Sequence, residues 1–167
     1  MPGRKRTVTP TSSKPVQRAP VIDSEGLESF RATLPEYRRY ETYRFLTVHW
    51  DIARALYLIH KQPREPQPID VAMFARNYGF FFAEGGAQVG DSPEESGFFS
   101  IDTKTVLSDQ VDLARPLLIA LISAEGRERP YAAHIDGLHR LFKAAWRGIP
   151  ELPAYVLTPD EERLCRI

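Results

Sequence analysis

Cysteine, long apolar runs and the common nucleotide-binding motifs are scarce or missing in this sequence of 167 residues. The one cysteine, Cys165, cannot form an internal disulfide, and we interpret it as an incidental residue of a C-terminal tail. No stretch approaches the roughly 18 to 20 consecutive apolar residues of a membrane-spanning helix, so no membrane partner is expected. The first residues lack a signal-peptide core, which favours the cytoplasm. Because neither GxxxxGK[ST] nor GxGxxG occurs, any nucleotide site must be of another kind.

Acidic residues are missing from the first 20 positions, although the whole chain carries 22 basic and 22 acidic groups. This segment holds five basic residues and four prolines among several serines and threonines. It cannot bury enough apolar surface to offset the entropy of ordering, so we expect residues 1–22 to form a disordered basic tail. Its charge either contacts nucleic-acid phosphates or keeps the protein in solution. Residues 23–167 have the length and apolar content of a single domain.

Hydrophobic spacing and turn residues predict alternating helices and strands after this tail. Residues 40–50 are rich in aromatic and β-branched side chains, which favours a strand, and Asp51 can cap the helix that follows it. The five glycines within residues 79–97 indicate a hairpin tip or a loop. The remaining elements that we predict are a helix over 69–78 and strands over 98–106, 117–122 and 131–135.

The segment YAAHIDGLHRLFKAAWRGIPELPAYVLT, which begins at Tyr131, has the pattern of a strand, a tight turn, a helix and a second strand. Asp136 can serve as the helix N-cap, and Gly148 followed by Pro150 ends the helix. His134 is interpreted as a structural histidine of the first strand. Apolar residues recur at the intervals of a buried helical stripe, namely Leu138, Leu141, Phe142, Ala145 and Trp146.

The opposite face of this helix carries four basic residues, His139, Arg140, Lys143 and Arg147. His139 and Arg140 fall in the first turn, where the helix dipole already presents about half a positive charge. A bound anion such as phosphate would compensate these cations, because helix N-termini bind anions through free N–H groups. We interpret Lys143 and Arg147 as ordinary solvated residues near the C-terminal end.

The ordered run of a hairpin, a DGLHR turn, a helix, a glycine and an apolar strand resembles the ParB/sulfiredoxin superfamily over residues 116–158. The resemblance implies a compact α/β (α+β) domain with a small mixed sheet flanked by helices, here with an N-terminal elaboration. It also implies that the helix after the turn holds nucleotide phosphates. Gly137 would allow the backbone to approach the ligand closely, while His139 and Arg140 would contact phosphate oxygens.

Two departures from this family narrow the expected function. Leu138 stands where sulfiredoxin has a cysteine, so reduction of an oxidised cysteine is not expected. The chain ends nine residues after Thr158, where chromosome-partition proteins continue into a long helical DNA-reading region. A complete segregation protein is therefore not expected either.

Three functions of different classes stay open at the level of sequence. The first is a ParB-like enzyme that hydrolyses a nucleoside triphosphate or a nucleic-acid phosphodiester, with Asp136 and His139 as the candidate catalytic groups. Mg²⁺ bound with a nucleoside triphosphate is its implied cofactor, and we assign no metal ligands in the protein. The second is a non-catalytic nucleotide- or DNA-binding module of plasmid or phage type. The third is an interaction protein that has lost ligand binding.

Overall fold

The computed structural model describes residues 19–45, 47–78, 80–83, 86–89, 103–123 and 130–167, with the backbone alone at 80–83, 86–89 and 103. The helices in these ranges are α1 (Ser24–Thr33), α2 (Glu36–Arg39), α3 (Ile52–Lys61), α4 (Val71–Asn77), α5 (Thr103–Val106), α6 (Leu138–Trp146) and α7 (Pro159–Cys165). The strands are β1 (Thr42–Phe45), β2 (Val48–Asp51), β3 (Gln67–Asp70), β4 (Phe80–Ala83), β5 (Gly86–Val89), β6 (Leu117–Ile122), β7 (Tyr131–Asp136) and β8 (Glu151–Leu157). None of the helices described is long and apolar enough to cross a membrane.

A four-stranded mixed sheet in the order β3-β8-β6-β7 forms the centre of the fold. Strand β6 pairs parallel with β8 and antiparallel with β7, while β3 pairs antiparallel with β8 at the other edge. The pairs β1-β2 and β4-β5 form separate antiparallel hairpins. The molecule is therefore a compact α+β fold with a small mixed sheet, as the sequence predicted.

Helices cover both faces of the central sheet. Alternate residues of β6 point to opposite faces, so this strand contributes side chains to a core on each side. Leu117 and Ile119 pack with apolar residues of α4 and α6 in one core cluster. Leu118 and Ala120 pack with α3, α7 and Trp50 in a second cluster. The continuous apolar run of β6 is thus the buried strand that the sequence predicted.

Several element boundaries differ from the sequence prediction. The expected single strand over residues 40–50 is a hairpin, in which Tyr43 pairs with Trp50 and the backbone groups satisfy each other. The expected helix over 69–78 begins only at Val71, because Asp70 accepts a hydrogen bond from the Met73 N–H at 2.9 Å and caps it. Residues 103–106 form helix α5 instead of the end of a strand, and residues 98–102 lie outside the described ranges.

The glycine-rich stretch and the N-terminal tail are described only in part. Of the hairpin tip or loop predicted within residues 79–97, the structure describes two strands, β4 and β5, which pair from Phe80 with Val89 to Ala83 with Gly86. Residues 79 and 84–85 lie outside the described ranges. Residues 90–97 lie outside the described ranges, as do residues 1–18 of the expected disordered tail.

The C-terminal residues belong to the core, which corrects our interpretation of Cys165 as an incidental tail residue. Cys165 ends helix α7, is 0% exposed and packs in the cluster around Trp50. Burial raises the pKa of its thiol to about 12, with nearby carboxylates acting in the same direction. Cys165 is therefore an apolar packing residue, and its thiol stays protonated at neutral pH.

Candidate functional site

Helix α6 begins at a glycine in the left-handed backbone region, directly after β7 ends. Gly137 is the N-cap residue, with φ of 104°, and it makes no side-chain capping bond. The expected N-cap role of Asp136 is wrong, because Asp136 is the last residue of β7 and its carboxylate is bound by side chains instead. The first N–H groups of α6 therefore have no side-chain cap, which is the condition for anion binding at a helix start.

The side chain of Arg140 folds back over Gly137 and is 91% buried, being only 9% exposed. A Cβ atom built on Gly137 would lie 2.7 Å from Arg140 Nη2 and 3.0 Å from its Nε. Leu117 also occupies this space. A glycine at this position thus makes room for the guanidinium, a role that is distinct from the close approach to a ligand that the family resemblance implies.

Arg140 is poorly paired for a buried cation. Its Nη2 lies 3.2 Å from Asp136 Oδ2, and this ion pair is its only polar contact with the described residues. Its Nε and Nη2 atoms are buried and find no hydrogen-bond partner in the part of the chain that the structure describes. Of the five N–H donors of a guanidinium, those on Nε and Nη2 are therefore left without an acceptor in the described protein.

Asp136 receives a second and closer contact from Arg38, 98 residues away in sequence. Arg38 Nη2 donates to Asp136 Oδ2 at 2.5 Å, and Arg38 Nε lies 3.1 Å from Glu41 Oε2. Burial alone would lower the pKa of Arg38, but the Asp136 and Glu41 carboxylates outweigh it and raise that pKa. Sequence reasoning missed Arg38, because only the fold brings α2 to the end of β7.

Glu41 is the second carboxylate of this arginine network, and it lies just before β1. Burial raises its pKa, and the nearby charge of Asp136 adds to this effect. Arg38 and Arg140 act in the opposite direction without cancelling it. The network therefore alternates cations and anions, with Asp136 shared between the two guanidinium groups.

A cavity of about 380 Å³ opens over this network at the start of α6. It brings together the candidate site residues Asp136, Gly137, His139 and Arg140. Its other walls come from α2, from β1 and the residue before it, from β7 and from the segment before β6. They include Tyr37, Arg38, Glu41, Tyr43, Gln110, Asp112, Arg115 and His134.

His139 and Arg115 are accessible basic residues of this pocket. Both residues are exposed, and within the described part of the chain neither makes an ion pair or a side-chain hydrogen bond. His139 lies in the first turn of α6, while Arg115 comes from the loop before β6. The sequence placed His139 at the helix start correctly, but it gave no signal that Arg115 would reach the same pocket.

The basic face expected on α6 is not a solvated stripe. Lys143 is 3% exposed, and its Nζ donates to the carbonyl oxygens of Ser108 at 2.6 Å and Val111 at 2.8 Å. The interpretation of Lys143 as a solvated residue is therefore wrong. Because Val111 lines the pocket, Lys143 fixes the segment that forms one of its walls.

The opposite end of α6 departs from the predicted stripe as well. Trp146 is 39% exposed, although Leu141 and Phe142 are fully buried as predicted. Arg147 is exposed, which fits its interpretation as a solvated residue. Gly148, with φ of 64°, ends the helix as the sequence indicated.

His134 is buried on β7, as the sequence predicted, and it lies against the pocket. Its Nδ1 is 2.9 Å from the Tyr78 hydroxyl, which also accepts the His134 backbone N–H at 3.1 Å. Nε2 has no hydrogen-bond partner among the described residues. Burial lowers the pKa of His134 to about 4, so the imidazole is neutral at neutral pH.

In the described part of the chain, no group of three or more histidine, cysteine, aspartate and glutamate side chains lies close enough to hold a metal ion. Comparison with family models, with curated proteins and with solved structures finds no match to this chain.

Proposed function

We propose that the pocket at the start of α6 binds phosphate groups of a nucleotide or nucleic acid, and that the chain is a ParB-like hydrolase of a phosphoanhydride or phosphodiester bond. The observation that carries this proposal is Arg140, a guanidinium that is 91% buried at an uncapped helix start and has a single ion pair among the described residues. A buried charge without hydrogen-bond partners is strongly unfavourable. A phosphate would supply the missing acceptors, because guanidinium groups match phosphate oxygens in geometry.

Binding would draw the guanidinium off Gly137 and into the cavity that it lines. Asp136 would remain held by Arg38, whose 2.5 Å contact is shorter than the 3.2 Å contact with Arg140. The exposed groups His139 and Arg115 would meet further phosphate oxygens. The first N–H groups of α6 would complete the anion site.

Hydrolysis would use His139 as the general base. The oxygen of water would form a bond to phosphorus, the bond to the leaving oxygen would break, and His139 would accept the proton of the water. Asp136 would hold the two arginines in place through its Oδ2 atom. Because no set of three metal-ligating side chains lies together in the described residues, Mg²⁺ would enter with the nucleotide, bound to its phosphate oxygens. When bound, Mg²⁺ would neutralise charge on the transferring group.

A second candidate is the non-catalytic binding module. It is favoured by the position of Asp136, whose Oδ2 is bound by two guanidinium groups and is therefore engaged in holding them. In that case the same pocket would recognise a nucleotide or nucleic acid without cleaving it.

Binding is tested by calorimetry on the full chain with inorganic tripolyphosphate, nucleoside triphosphates and duplex DNA. Loss of charged hydrogen bonds predicts that Arg140→Met weakens phosphate binding about 10- to 100-fold. Arg147→Met is the matched control, since it removes the same charge from the exposed end of the same helix. Equal affinities for the two variants would contradict the proposed site.

Turnover is tested by phosphate release and DNA cleavage in the presence of Mg²⁺. For the hydrolase we expect His139→Ala to lower kcat by about 10²- to 10⁴-fold, the usual contribution of a general base. Tight binding without release would favour the non-catalytic module. If neither ATP, CTP, GTP nor DNA raises the melting temperature, both proposals fail, because specific ligands stabilise the native state.

A further inference from the structure

We infer that the phosphate ligand of this pocket is a single nucleotide whose base stacks on Tyr37. This inference rests on the proposed function and names the substrate class of the same site. It is drawn from an accessible aromatic ring at the pocket, from the anchoring of that ring, and from the charge balance of the cavity.

Tyr37 lines the pocket and is 72% exposed. A tyrosine ring offers a large flat apolar face, and water is a poor environment for it. Each nucleic-acid base also has an apolar face, so an aromatic side chain beside a phosphate site provides a place for a base to stack. The exposed ring and the buried guanidinium Arg140 line the same cavity.

The ring of Tyr37 is carried by a backbone that is held in place. Its neighbour Arg38 is 6% exposed at the side chain and is bound to Asp136 at 2.5 Å and to Glu41 at 3.1 Å. The Arg38 backbone N–H also donates to the Pro35 carbonyl at 2.8 Å. Because the backbone is already held in place, only the side chain of Tyr37 loses conformational freedom when a ligand binds, which favours affinity.

The charges of the pocket also favour a ligand that is only partly anionic. Arg38, Arg115 and Arg140 are balanced by three carboxylates that line the same cavity, Glu41, Asp112 and Asp136. A ligand consisting of phosphate alone would meet these carboxylates as well as the arginines. A nucleotide can place its phosphates at Arg140 and His139 while its neutral base lies on the ring of Tyr37.

The size of the cavity favours one nucleotide over a duplex. A volume of about 380 Å³ lies within the range of small-molecule sites, which is roughly 300 to 1,000 Å³. A duplex would keep its bases paired and stacked inside the helix, so none could reach Tyr37. We therefore assign the site to a mononucleotide.

Tyr40 provides a matched control three residues away. It is 75% exposed, close to the value for Tyr37, but it does not line the pocket. Its ring instead faces the guanidinium of Arg31, whose Cζ lies 5.4 Å from the ring centroid. Replacement of either tyrosine removes a similar exposed ring from the same segment.

The experiment is calorimetry on the full chain with inorganic tripolyphosphate, the four nucleoside triphosphates, a short single-stranded oligonucleotide and a duplex. We expect a nucleoside triphosphate to bind about 5- to 100-fold more tightly than tripolyphosphate, the usual effect of stacking one base. Tyr37→Ala should abolish this difference while leaving tripolyphosphate affinity unchanged. Tyr37→Phe and Tyr40→Ala should behave as the wild type.

The outcomes separate this inference from the proposed function. If tripolyphosphate binds through Arg140 as tightly as every nucleotide, or if Tyr37→Ala leaves the nucleotide preference intact, the base-stacking inference is overturned and the phosphate site stands. Tighter binding of the oligonucleotide than of any mononucleotide overturns the assignment to a single nucleotide. If neither tripolyphosphate nor a nucleotide binds, the phosphate site itself is overturned and the inference with it.

Discussion

The first turns of α7 and α6 both contain a buried charged residue, but they satisfy it to very different extents. In α7, Glu161 accepts hydrogen bonds from Arg64 Nη1 at 2.6 Å and Nη2 at 3.0 Å. It also accepts the Thr158 backbone N–H at 2.8 Å in a complete capping box. In α6, Arg140 has one ion pair at 3.2 Å, and the cap is a glycine without a side-chain bond.

This contrast teaches how to distinguish a structural charge from a ligand-binding one. Burial alone would raise the pKa of Glu161, but hydrogen bonds from Arg64 and Thr158 outweigh it and lower that pKa. Its network is therefore complete within the protein. Arg140 keeps unused donors beside a cavity, which is the state expected of a residue whose partner arrives from outside.

Removal of the arginine partner at each site should produce the largest difference between them. Arg64→Met leaves Glu161, which is 2% exposed, without its guanidinium, so we expect a loss of about 3 to 4 kcal/mol in unfolding free energy. Arg140→Met removes a poorly paired buried charge, and Asp136 keeps Arg38. We expect its unfolding free energy to change by about 1 kcal/mol or less. Urea denaturation at pH 7 measures both values.

The variant that loses less stability, Arg140→Met, should lose more affinity for phosphate. Arg64→Met should bind tripolyphosphate as the wild type does, whereas Arg140→Met should not. If Arg140→Met destabilised the fold as much as Arg64→Met, Arg140 would be a structural residue and the distinction between the two helix starts would be lost.

The pocket at the start of α6 contains a second buried group that lacks a hydrogen-bond partner among the described residues, the Nε2 atom of His134. The pH dependence of stability tests this residue. Its pKa is about 4 in the folded protein, and about 6.5 is usual for an unfolded chain. The unfolded chain therefore binds the proton more readily. The free energy of unfolding therefore falls as the pH drops from about 6.5 to about 4, because the buried imidazole of His134 must stay neutral while the unfolded chain takes up a proton. The total loss is about 3 kcal/mol.

The His134→Phe variant should lack this loss between pH 6.5 and 4, whereas His139→Ala should keep it, since His139 is exposed. Denaturation curves at several pH values across this window provide the comparison. Parallel slopes for the wild type and His134→Phe would show that another group is responsible.

The backbone at the start of α6 provides the next smaller effect. Gly137→Ala forces an L side chain into φ of 104° and against Leu117 and Arg140, so we expect a loss of about 2 to 3 kcal/mol. Gly148→Ala is the control. Gly148 also has a positive φ, of 64°, but no atom of the described residues lies within 4 Å of its added Cβ, so only about 1 to 2 kcal/mol should be lost.

Phosphate affinity should also differ between the two glycine variants. Gly137→Ala should also change phosphate affinity, because its Cβ displaces the Arg140 guanidinium. Gly148→Ala should leave it unchanged. Equal phosphate affinities in the two variants would mean that the position of the guanidinium over Gly137 has no bearing on binding.

The sequence predicted those parts of the fold that depend on local pattern. The apolar run of β6, the turn at Gly137 and the end of α6 at Gly148 were all readable, because spacing and backbone freedom are properties of neighbouring residues. Asp51 was likewise identified correctly as the cap of α3. The α+β class followed from the order of these elements.

Features that depend on contacts between residues far apart in the sequence could not be predicted from local pattern. Arg38 reaches Asp136 across 98 residues, and Lys143 is buried because carbonyl groups of the segment before β6 cover it. Trp146 had the right spacing for the core, yet α6 buries its polar residues Arg140 and Lys143 and leaves Trp146 partly exposed. Helical periodicity predicts which side chains share a face of the helix, but the neighbouring elements determine which face is buried.

Loss of the α7 cap should produce the smallest effect of the series. Thr158→Ala removes the acceptor for the Glu161 N–H, so we expect a loss of about 1 kcal/mol in unfolding free energy. Glu161 keeps Arg64 and the Thr158 backbone N–H, so the rest of its network survives the change. Phosphate affinity should be unaffected, since Thr158 does not line the pocket at α6. A binding defect in this variant would mean that the two helix starts are coupled, and that a completed cap does not mark a purely structural charge.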